Sequence, residues 1–285
     1  MAVDHYENFP VASLLMPRDL RPAVMNIYRF ARHADDLADE GELTSTQRLD
    51  ALTACSEALH HLRFSGPLSS HDALAPVFNP LCETIVRHDL PFEPFEALLS
   101  AFVQDVSQHH YDDDADLARY CERSANPVGH LMLLLYQAST PHNRQLSDAI
   151  CTGLQLVNFW QDVALDWDKG RVYIPQSRLA RHNLDSKRLL DQIDTPAWRA
   201  LMLELTDDAR NLLLSGLPLA AQLKGRIGFE LRLIVHGGLR ILDKLKHHNF
   251  DVVAHRPKMG PIDWLSLPFR ALWPRQAPPA PKPYA

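Results

Sequence analysis

Two groups of acidic side chains have the composition and spacing of a site for metal ions and phosphate. The first comprises Asp35, Asp36, Asp39 and Glu40. On a helix, Asp35 and Asp39 lie one turn apart on the same face, where like charges repel each other. A divalent cation reverses that effect, and Mg²⁺ in proteins usually takes one or two carboxylates together with substrate phosphates. This group is therefore a candidate magnesium site.

The second group comprises Asn158, Asp162 and Asp166, which fall on one stripe of a helix because they are four residues apart. The residues between them, including Phe159 and Trp160, are largely apolar, so we expect the stripe to face a cavity inside a helical bundle. Two such groups can hold metal ions on both sides of a diphosphate and promote its departure, which leaves a carbocation. The alternative, that each group is a solvated helix face, is less favoured because the pattern occurs twice.

Basic residues that suit phosphate lie beside both groups. Arg32 lies three residues before Asp35, and Lys169 and Arg171 follow Asp166. Guanidinium groups bind phosphate oxygens through paired hydrogen bonds, so these residues are candidates for holding a diphosphate. Ion pairing with the neighbouring aspartates is the alternative, and for Lys169 the two interpretations are equally supported.

Helical periodicity dominates the chain and supplies the elements that would carry these residues. It predicts helices over residues 20–39, 46–62, 73–87, 92–106, 127–138, 146–167, 197–214 and 229–246, with a turn at Lys169 and Gly170 and an extended connector at 172–175. The chain has only 11 glycines in 285 residues, which is sparse for an α/β fold. We predict an all-α, single-domain helical bundle over residues 1–273 and a disordered, proline-rich tail over 274–285.

The composition excludes several classes of protein. The net charge is −6 and no run of basic residues suggests a nucleic-acid surface. The four cysteines are far apart, which argues against a zinc site or a disulfide framework and favours the cytoplasm. No apolar stretch suits a signal peptide or a membrane span. The apolar segment 264–273 is expected to dock on the protein body or, alternatively, to contact the membrane surface, at the periphery of the inner membrane.

Several stretches carry a resemblance to a known family. They read LMP at 15–17, IYRFARHADDLAD at 27–39, YCERSANPVG at 120–129, QLVNFWQD at 155–162 and GRVYIP at 170–175. In these stretches, and in their order, the chain resembles the squalene/phytoene synthase family over residues 5–256 or so. The resemblance implies an all-α domain of isoprenoid-synthase type, whose central cavity holds a prenyl diphosphate and Mg²⁺ between the two aspartate groups.

Carried over by position, the resemblance gives the acidic and basic residues their roles. The metal-binding residues would be Asp35, Asp36, Asp39, Asn158, Asp162 and Asp166. The candidate catalytic residues are Asp35, Asp39, Asp162, Asp166 and Tyr28, and the candidate substrate-binding residues are Phe9, Arg32, Gln155, Asn158, Lys169, Arg171 and Tyr173. Mg²⁺ is the expected cofactor, and presqualene diphosphate or farnesyl diphosphate is the expected substrate.

The chain departs from the pattern of the family's condensing members. Glu122 stands where those members usually carry a tyrosine, Gln161 where they often have an arginine, and a further tyrosine is replaced around Gly238. These departures resemble the bacterial hopanoid-pathway branch, which is understood to convert presqualene diphosphate to hydroxysqualene, with water quenching the cation. The resemblance implies no NADPH and an upstream partner synthase, with which contact is expected. Glu122 would orient the water or, as the favoured alternative, pair with Arg119 or Arg123 at the surface.

Three other functions are compatible with the acidic groups. A condensing synthase that makes squalene or phytoene from two prenyl diphosphates would share the metal site, and the altered tyrosine positions weigh against it. A helical phosphohydrolase would need a histidine–aspartate set, for which His33 beside Asp35 is the one hint. A non-catalytic assembly factor would not need both aspartate groups intact. The separate acidic run at 112–116 fits a solvated loop before a helix better than a metal site.

Overall fold

The computed structural model describes residues 16–223 and 225–272, which fold into helices joined by short connections. In chain order these are α1 (Arg21–Asp39), α2 (Ser45–Ser65), α3 (Ala75–His88), α4 (Glu93–Asp105), α5 (Asp114–Ser124), α6 (Asn126–Leu135), α7 (Pro141–Gln161), α8 (Val163–Asp168), α9 (Gln176–Arg181), α10 (Pro196–Gly216), α11 (Leu219–Gln222), α12 (Arg226–His247) and α13 (Pro261–Leu272), with a 3-10 helix at Ser186–Gln192. Strand-like pairing within the described residues is limited to an isolated bridge between His110 and Val172. The predicted all-α class is confirmed.

The eight predicted helices correspond to α1 to α4, α6, α7 with α8, α10 and α12. The prediction of one continuous helix over 146–167 is wrong, because the helix is interrupted at Asp162. Helices α5, α9, α11 and α13 are not predicted; α9 and α11 are only 6 and 4 residues long, and α13 contains Pro268. The predicted domain boundary at 273 and the predicted tail lie outside the described residues and stay predictions.

Threonine caps begin three of the helices. At α2 the Thr44 hydroxyl accepts the N–H of Gln47, and the Gln47 side chain accepts the N–H of Thr44. This reciprocal pair satisfies two N–H groups that a helix start leaves without partners. Thr44 therefore replaces Ser45 or Thr46, which the sequence suggests as the cap. Thr140 and Thr195 cap α7 and α10, each followed by a proline, which suits the first helical position.

The chain divides into two compact units, each built from two stretches. The first unit comprises residues 16–108 and 123–139, and the second comprises 109–122 and the described residues from 140 to 272. In the core of the first unit, the ring of Phe30 on α1 meets Phe78 and Phe95 edge to face at 5.6 and 5.5 Å, and all three are fully buried. Aromatic rings favour this geometry. The buried stripe of α1 fixes the rotation of that helix, and with it the direction of the first acidic group.

In the second unit α7 and α10 pack at very close range. A β-carbon added to Gly216 of α10 would lie 2.5 Å from the carbonyl oxygen of Leu146 and 2.5 Å from a side-chain carbon of Ile150 on α7. A larger residue would force the two helices apart. Trp160 of α7 and Trp198 of α10 are both fully buried in this unit. This packing holds α7, which carries the second acidic group.

A buried arginine joins three segments of the second unit. Arg178 of α9 is 3% exposed and donates to Asp114 at 2.9 Å, to Glu204 at 2.6 Å and to Asp208 at 2.8 Å. Burial raises the pKa of Asp208 in spite of its contact with Arg178. Burial acts in the same direction on Glu204, but a hydrogen bond from His182 and the charge of Arg178 lower the pKa of that group. Three carboxylates therefore share one buried guanidinium group, and Glu204 also pairs with Arg181 and His182.

Helix α13 is fixed to α12 through a buried aspartate. Asp263, 4% exposed, accepts a hydrogen bond from Arg240 at 2.6 Å, forms an ion pair with Lys244 and accepts the N–H of Gly260 at 2.8 Å. Burial acts to raise the pKa of Asp263, but these contacts lower it to about 2. Among the described residues, no helix combines the length and the apolar character needed to cross a membrane.

We expect Arg178→Gln to lower the free energy of unfolding by about 3 kcal/mol, because removing one partner of a buried ion pair leaves the other charges uncompensated. Arg188→Gln is the control. Its pair with Asp191 has side chains 72% and 64% exposed, so the loss should stay below about 0.5 kcal/mol. Urea unfolding followed by circular dichroism measures both values, and equal losses in the two variants would contradict the role given to Arg178.

Candidate active site

The first acidic group lies on the last turns of α1, in the first unit. The side chains of Asp35 and Asp36 are each 44% exposed, Asp39 is half-buried, and Glu40 is the exposed C-cap residue. The last turns of a helix carry the negative end of its dipole, so acidic residues there are unfavourable for the helix itself. Helix stability therefore does not explain this sequence, whereas a cationic ligand would compensate its charge.

Arg32 compensates part of this charge. Its guanidinium group donates to Asp35 at 3.0 Å and to Glu40 at 2.8 Å, and it lies 2.6 Å from a carboxylate oxygen of Asp36. Burial acts to lower the pKa of Arg32, but the hydrogen bond to Glu40 and the neighbouring carboxylates raise it. Arg32 is thus a fixed cation beside the acidic group. It pairs with the acidic side chains, and its predicted contact with a diphosphate stays a prediction.

Arg48, which the sequence does not single out, fixes the end of α1. It donates to the carbonyl oxygens of Leu37 at 3.0 Å, of Glu40 at 2.9 Å and of Gly41 at 2.9 Å. Basic side chains near a helix C-terminus satisfy the last carbonyl groups and complement the dipole. A lone arginine after an acidic helix end is the only sequence signal, and such arginines are too common to identify the contact.

Tyr28 and His33 lie on the same helix as the first acidic group. Tyr28 is half-buried one turn before Arg32, where a residue near the group was expected. Burial lowers the pKa of His33, against the opposing effect of the Asp36 charge. His33 is therefore a weaker base than an ordinary imidazole.

The second acidic group spans the junction of α7 and α8, in the second unit. Asp162 ends α7 and begins α8, with φ −108° and ψ 13°. Its N–H donates to the carbonyl oxygen of Asn158 at 2.9 Å, and the N–H of Asp166 donates to the carbonyl oxygen of Asp162 at 2.9 Å. The helical hydrogen bonds therefore continue through the interruption. The three side chains, all half-buried, stay one turn apart as predicted.

Asp162 is held by an arginine that lies 94 residues away in the sequence. Arg256 donates from Nε to one carboxylate oxygen at 2.6 Å and from a terminal nitrogen to the other at 3.1 Å, which is a two-point contact. Beside it, the buried side chain of Gln161 donates to the carbonyl oxygen of Pro257 at 2.9 Å. The segment after α12 is thereby fastened to the end of α7. No local pattern predicts a pairing over this distance.

Asp166 lines a recess in the second unit. The recess is small, is partly open to solvent and is also lined by Arg171, Tyr173 and Phe159. The rings of Tyr173 and Phe159 are stacked, with centroids 3.8 Å apart and planes 8° apart. The N–H of Arg171 donates to the carbonyl oxygen of Asp166 at 2.8 Å. The structure thus brings together three residues that the sequence assigns to the site, with an aromatic wall beside them.

The other predicted site residues occupy different environments. Gln155 and Asn158 are half-buried on α7, and Lys169 is exposed at the end of α8. Trp160 is fully buried, as expected of a core aromatic. Phe9 lies outside the described residues, and its role stays a prediction.

The positions that depart from the condensing pattern are now located. Glu122 is exposed on α5, in agreement with the surface interpretation of that residue. Gly238 is buried on α12, where an added β-carbon would lie 3.0 Å from a side-chain carbon of Leu154 and 3.1 Å from one of Leu213. A larger side chain there would have to displace the side chains of Leu154 and Leu213. Gln161 is 1% exposed, so its side chain belongs to the interior of the second unit.

The acidic residues at 112–116 form hydrogen bonds around the start of α5. Asp113 accepts the N–H of Asp116 at 2.8 Å, and the Asp116 side chain accepts the N–H of Asp112 at 3.2 Å. Asp114 pairs with Arg178, as described above. The interpretation as a loop before a helix is therefore favoured over a metal site.

The two main acidic groups have donors suited to Mg²⁺ that is shared with a phosphate ligand. Their side chains offer carboxylate and amide oxygens, which this cation prefers. In the part of the chain that the structure describes, no three His, Cys, Asp or Glu side chains converge to hold a metal ion by themselves. Mg²⁺ usually takes one or two carboxylates and completes its shell with phosphate and water. The residues therefore fit the ion as a partner of a diphosphate.

Comparisons with known proteins identify the family of the chain. The family model described as squalene/phytoene synthase matches residues 2–263. A hydroxysqualene synthase from Rhodopseudomonas palustris is 32% identical over 93% of this chain and 88% of its own, and a phytoene synthase from Thermus thermophilus is 29% identical over 98% and 92%. The crystal structure of squalene synthase HpnC from Alicyclobacillus acidocaldarius has a TM-score of 0.79 and 34% identity, covering 88% of this chain and 92% of that one. The chain belongs to the squalene/phytoene synthase family and is an enzyme of that family, with its all-α isoprenoid-synthase fold.

Proposed function

We propose that the protein converts presqualene diphosphate and water to hydroxysqualene, diphosphate and a proton, with Mg²⁺ as cofactor. The carbon–oxygen bond to the diphosphate breaks with both electrons leaving on oxygen. The resulting cation rearranges, and a new carbon–oxygen bond forms to water, which loses a proton. The relatives named hydroxysqualene synthase support this reaction among those of the family.

The observation that carries the proposal is the environment of Gln161. In the condensing members that the chain resembles, an arginine often precedes the first aspartate of the second group. Here the residue is a neutral amide that is 1% exposed and donates to the carbonyl oxygen of Pro257. It therefore supplies no cation to a diphosphate. Gly238, buried against the side chains of Leu154 and Leu213 near the position where condensing members carry a tyrosine, supports the same loss of the condensing step.

Both acidic groups keep the residues that are needed to ionise a prenyl diphosphate. The residues that would hold Mg²⁺ are Asp35, Asp36, Asp39, Asn158, Asp162 and Asp166. Bound magnesium ions neutralise the negative charge of a departing diphosphate. Arg32, Arg171 and Arg256 would donate N–H groups to phosphate oxygens, and this stabilisation grows as charge develops on the leaving group. Arg32 already lies against the carboxylates of the first group, so it needs only exchange one anionic partner for another.

The aromatic wall beside Asp166 suits a reaction that passes through a carbocation. Phe159 and Tyr173 give the recess a largely aromatic wall, and a ring face that meets a carbocation would stabilise it. Glu122, exposed on α5, is poorly placed to orient the water that ends the reaction. The water would instead enter through the solvent-open recess that Asp166 and Arg171 line.

A condensing synthase that makes phytoene or squalene is the second candidate. It is favoured by the similarity to the Thermus thermophilus phytoene synthase, which spans 98% of this chain. It would use the same carboxylates for a first half-reaction that joins two allylic diphosphates.

Product analysis separates the two candidates. The purified protein is given presqualene diphosphate and farnesyl diphosphate in parallel, with Mg²⁺ and without NADPH. We expect hydroxysqualene from the first substrate and no condensed product from the second, as measured by mass spectrometry. Formation of presqualene diphosphate, squalene or a phytoene-type product from an allylic diphosphate alone would refute the proposal.

Removal of one carboxylate from either acidic group should abolish most of the activity. We expect Asp35→Ala and Asp162→Ala each to lower turnover by about 100-fold or more, because each removes charge stabilisation of the leaving group. Asp50→Ala and Asp168→Ala are matched controls, since both residues are exposed on helices near the groups, α2 and α8, and should keep full turnover. Helix content by circular dichroism should be unchanged in all four variants. Normal turnover in either of the first two would exclude that carboxylate from the site.

The two-point contact of Arg256 with Asp162 should matter for the use of Mg²⁺. Arg256→Lys keeps the charge but loses the paired geometry. Partners of this kind typically change metal affinity or activity by about 10–100-fold when altered, so we expect a loss of that size in a titration of turnover against Mg²⁺. Lys258→Arg, two residues later, is the control and should titrate like the unaltered protein. Identical curves for both variants would mean that Arg256 does not position Asp162.

A further inference from the structure

Helix α13 exposes a concentration of large apolar side chains. The fractions exposed are 80% for Ile262, 41% for Trp264, 73% for Leu265, 77% for Phe269 and 70% for Leu272. These five residues are called the outer face of α13. Elsewhere in the described residues, eight large exposed apolar residues are spread over more than two hundred positions. Single exposed apolar residues need no explanation, whereas a contiguous patch marks a surface that contacts something.

The outer face is held in a fixed direction. Leu267 and Ala271, on the opposite side of the helix, are each 1% exposed, and Asp263 is anchored to Arg240 and Lys244 of α12. The helix therefore has its own buried side and cannot turn to hide the outer face without breaking a buried ion pair. Among the positions of α13 whose side chains are described, every exposed one is apolar. Two of these exposed positions are the prolines at 261 and 268. The described exposed side chains of α13 therefore carry no charge that would favour contact with bulk water.

The sequence around α13 is basic, although the protein as a whole is acidic. Residues 240–285 contain eight Lys and Arg against three Asp, a net charge of +5, which leaves −11 for residues 1–239 of a chain with a total of −6. Lys246 and Lys258, near the two ends of the segment that connects α12 to α13, are exposed. Basic residues beside an apolar helix face favour an anionic surface, because each gains attraction within a Debye length of it.

We infer that the outer face of α13 docks on the surface of a lipid bilayer that contains anionic lipids. Helices that lie in the membrane interface have an apolar side that enters the boundary between headgroups and acyl chains, with basic residues at the flanks. The aromatic rings of Trp264 and Phe269 suit that boundary. The docking rests on the surface of α13 itself. Its use rests on the proposed function, because a substrate and product with long hydrocarbon chains partition into membranes.

The test is vesicle flotation of the full-length protein, without substrate and in the presence of EDTA. The vesicles consist of phosphatidylcholine alone or of phosphatidylcholine mixed with phosphatidylglycerol. The test variant is Leu265→Glu with Phe269→Glu. The control variant is Phe64→Glu with Val86→Glu, which also replaces two large apolar residues, 69% and 76% exposed, but on α2 and α3. We expect the unaltered protein and the control to float with the anionic vesicles, and the test variant to partition roughly ten-fold less. High salt should weaken the binding.

Four results would overturn the inference. They are failure of the unaltered protein to bind anionic vesicles, equal binding of the test and control variants, equal binding to neutral and anionic vesicles, and self-association through this face. The last would appear in light scattering as an oligomer that only the test variant dissociates, with no vesicle binding. Circular dichroism of both variants reports on folding. Because flotation needs no catalysis, a wrong reaction assignment would leave its outcome unchanged.

Discussion

Concentrated carboxylate charge is the constraint on which much of the structure depends. Asp35 and Asp36 lie at the negative end of a helix dipole, and Asp162 lies where one helix stops and the next begins. The first position disfavours an anion, and the Asp162 side chain makes no cap hydrogen bond to α8, so in both groups a cation from elsewhere in the chain offsets the charge. Arg32 supplies this cation from one turn away on the same helix, whereas Arg256 supplies it from the segment that follows α12. In the second unit, tertiary contacts therefore compensate charge as well as bury apolar side chains.

Local pattern was sufficient for the helices that carry the acidic groups. Apolar residues at helical spacing identify α1 and α7, and the spacing of Asn158, Asp162 and Asp166 survives the interruption between α7 and α8. The interruption itself was not predictable, because the residues around Asp162 have no glycine or proline to mark it. Helix α13 was missed because Pro268 and its apolar outer face conceal the period that reveals an amphipathic helix.

Long-range contacts were beyond the reach of sequence patterns for a different reason. Three contacts join residues whose spacing in the sequence follows no helical or strand period. They are the pairing of Arg256 with Asp162, the hydrogen bond from Gln161 to Pro257 and the contact of Arg48 with the end of α1. The close helix packing at Gly216 and Gly238 is not evident from the sequence either. A glycine inside a helix indicates a packing contact only when its neighbours in the structure are known. The contacts at Gln161, Asp162, Gly216 and Gly238 all involve α7 or its end, which carries the second acidic group.

The interleaving of the two units along the chain sets the order in which the protein can be built on a ribosome. Residues 16–108 and 123–139 are all available to the first unit before residue 140 has been added. Residues 109–122 must then wait, because Tyr111 and Tyr120 meet the ring of Tyr173, and Asp114 meets Arg178, only when those later residues emerge. The second unit is completed last around a segment made earlier. No single cleavage of the backbone can release two complete units.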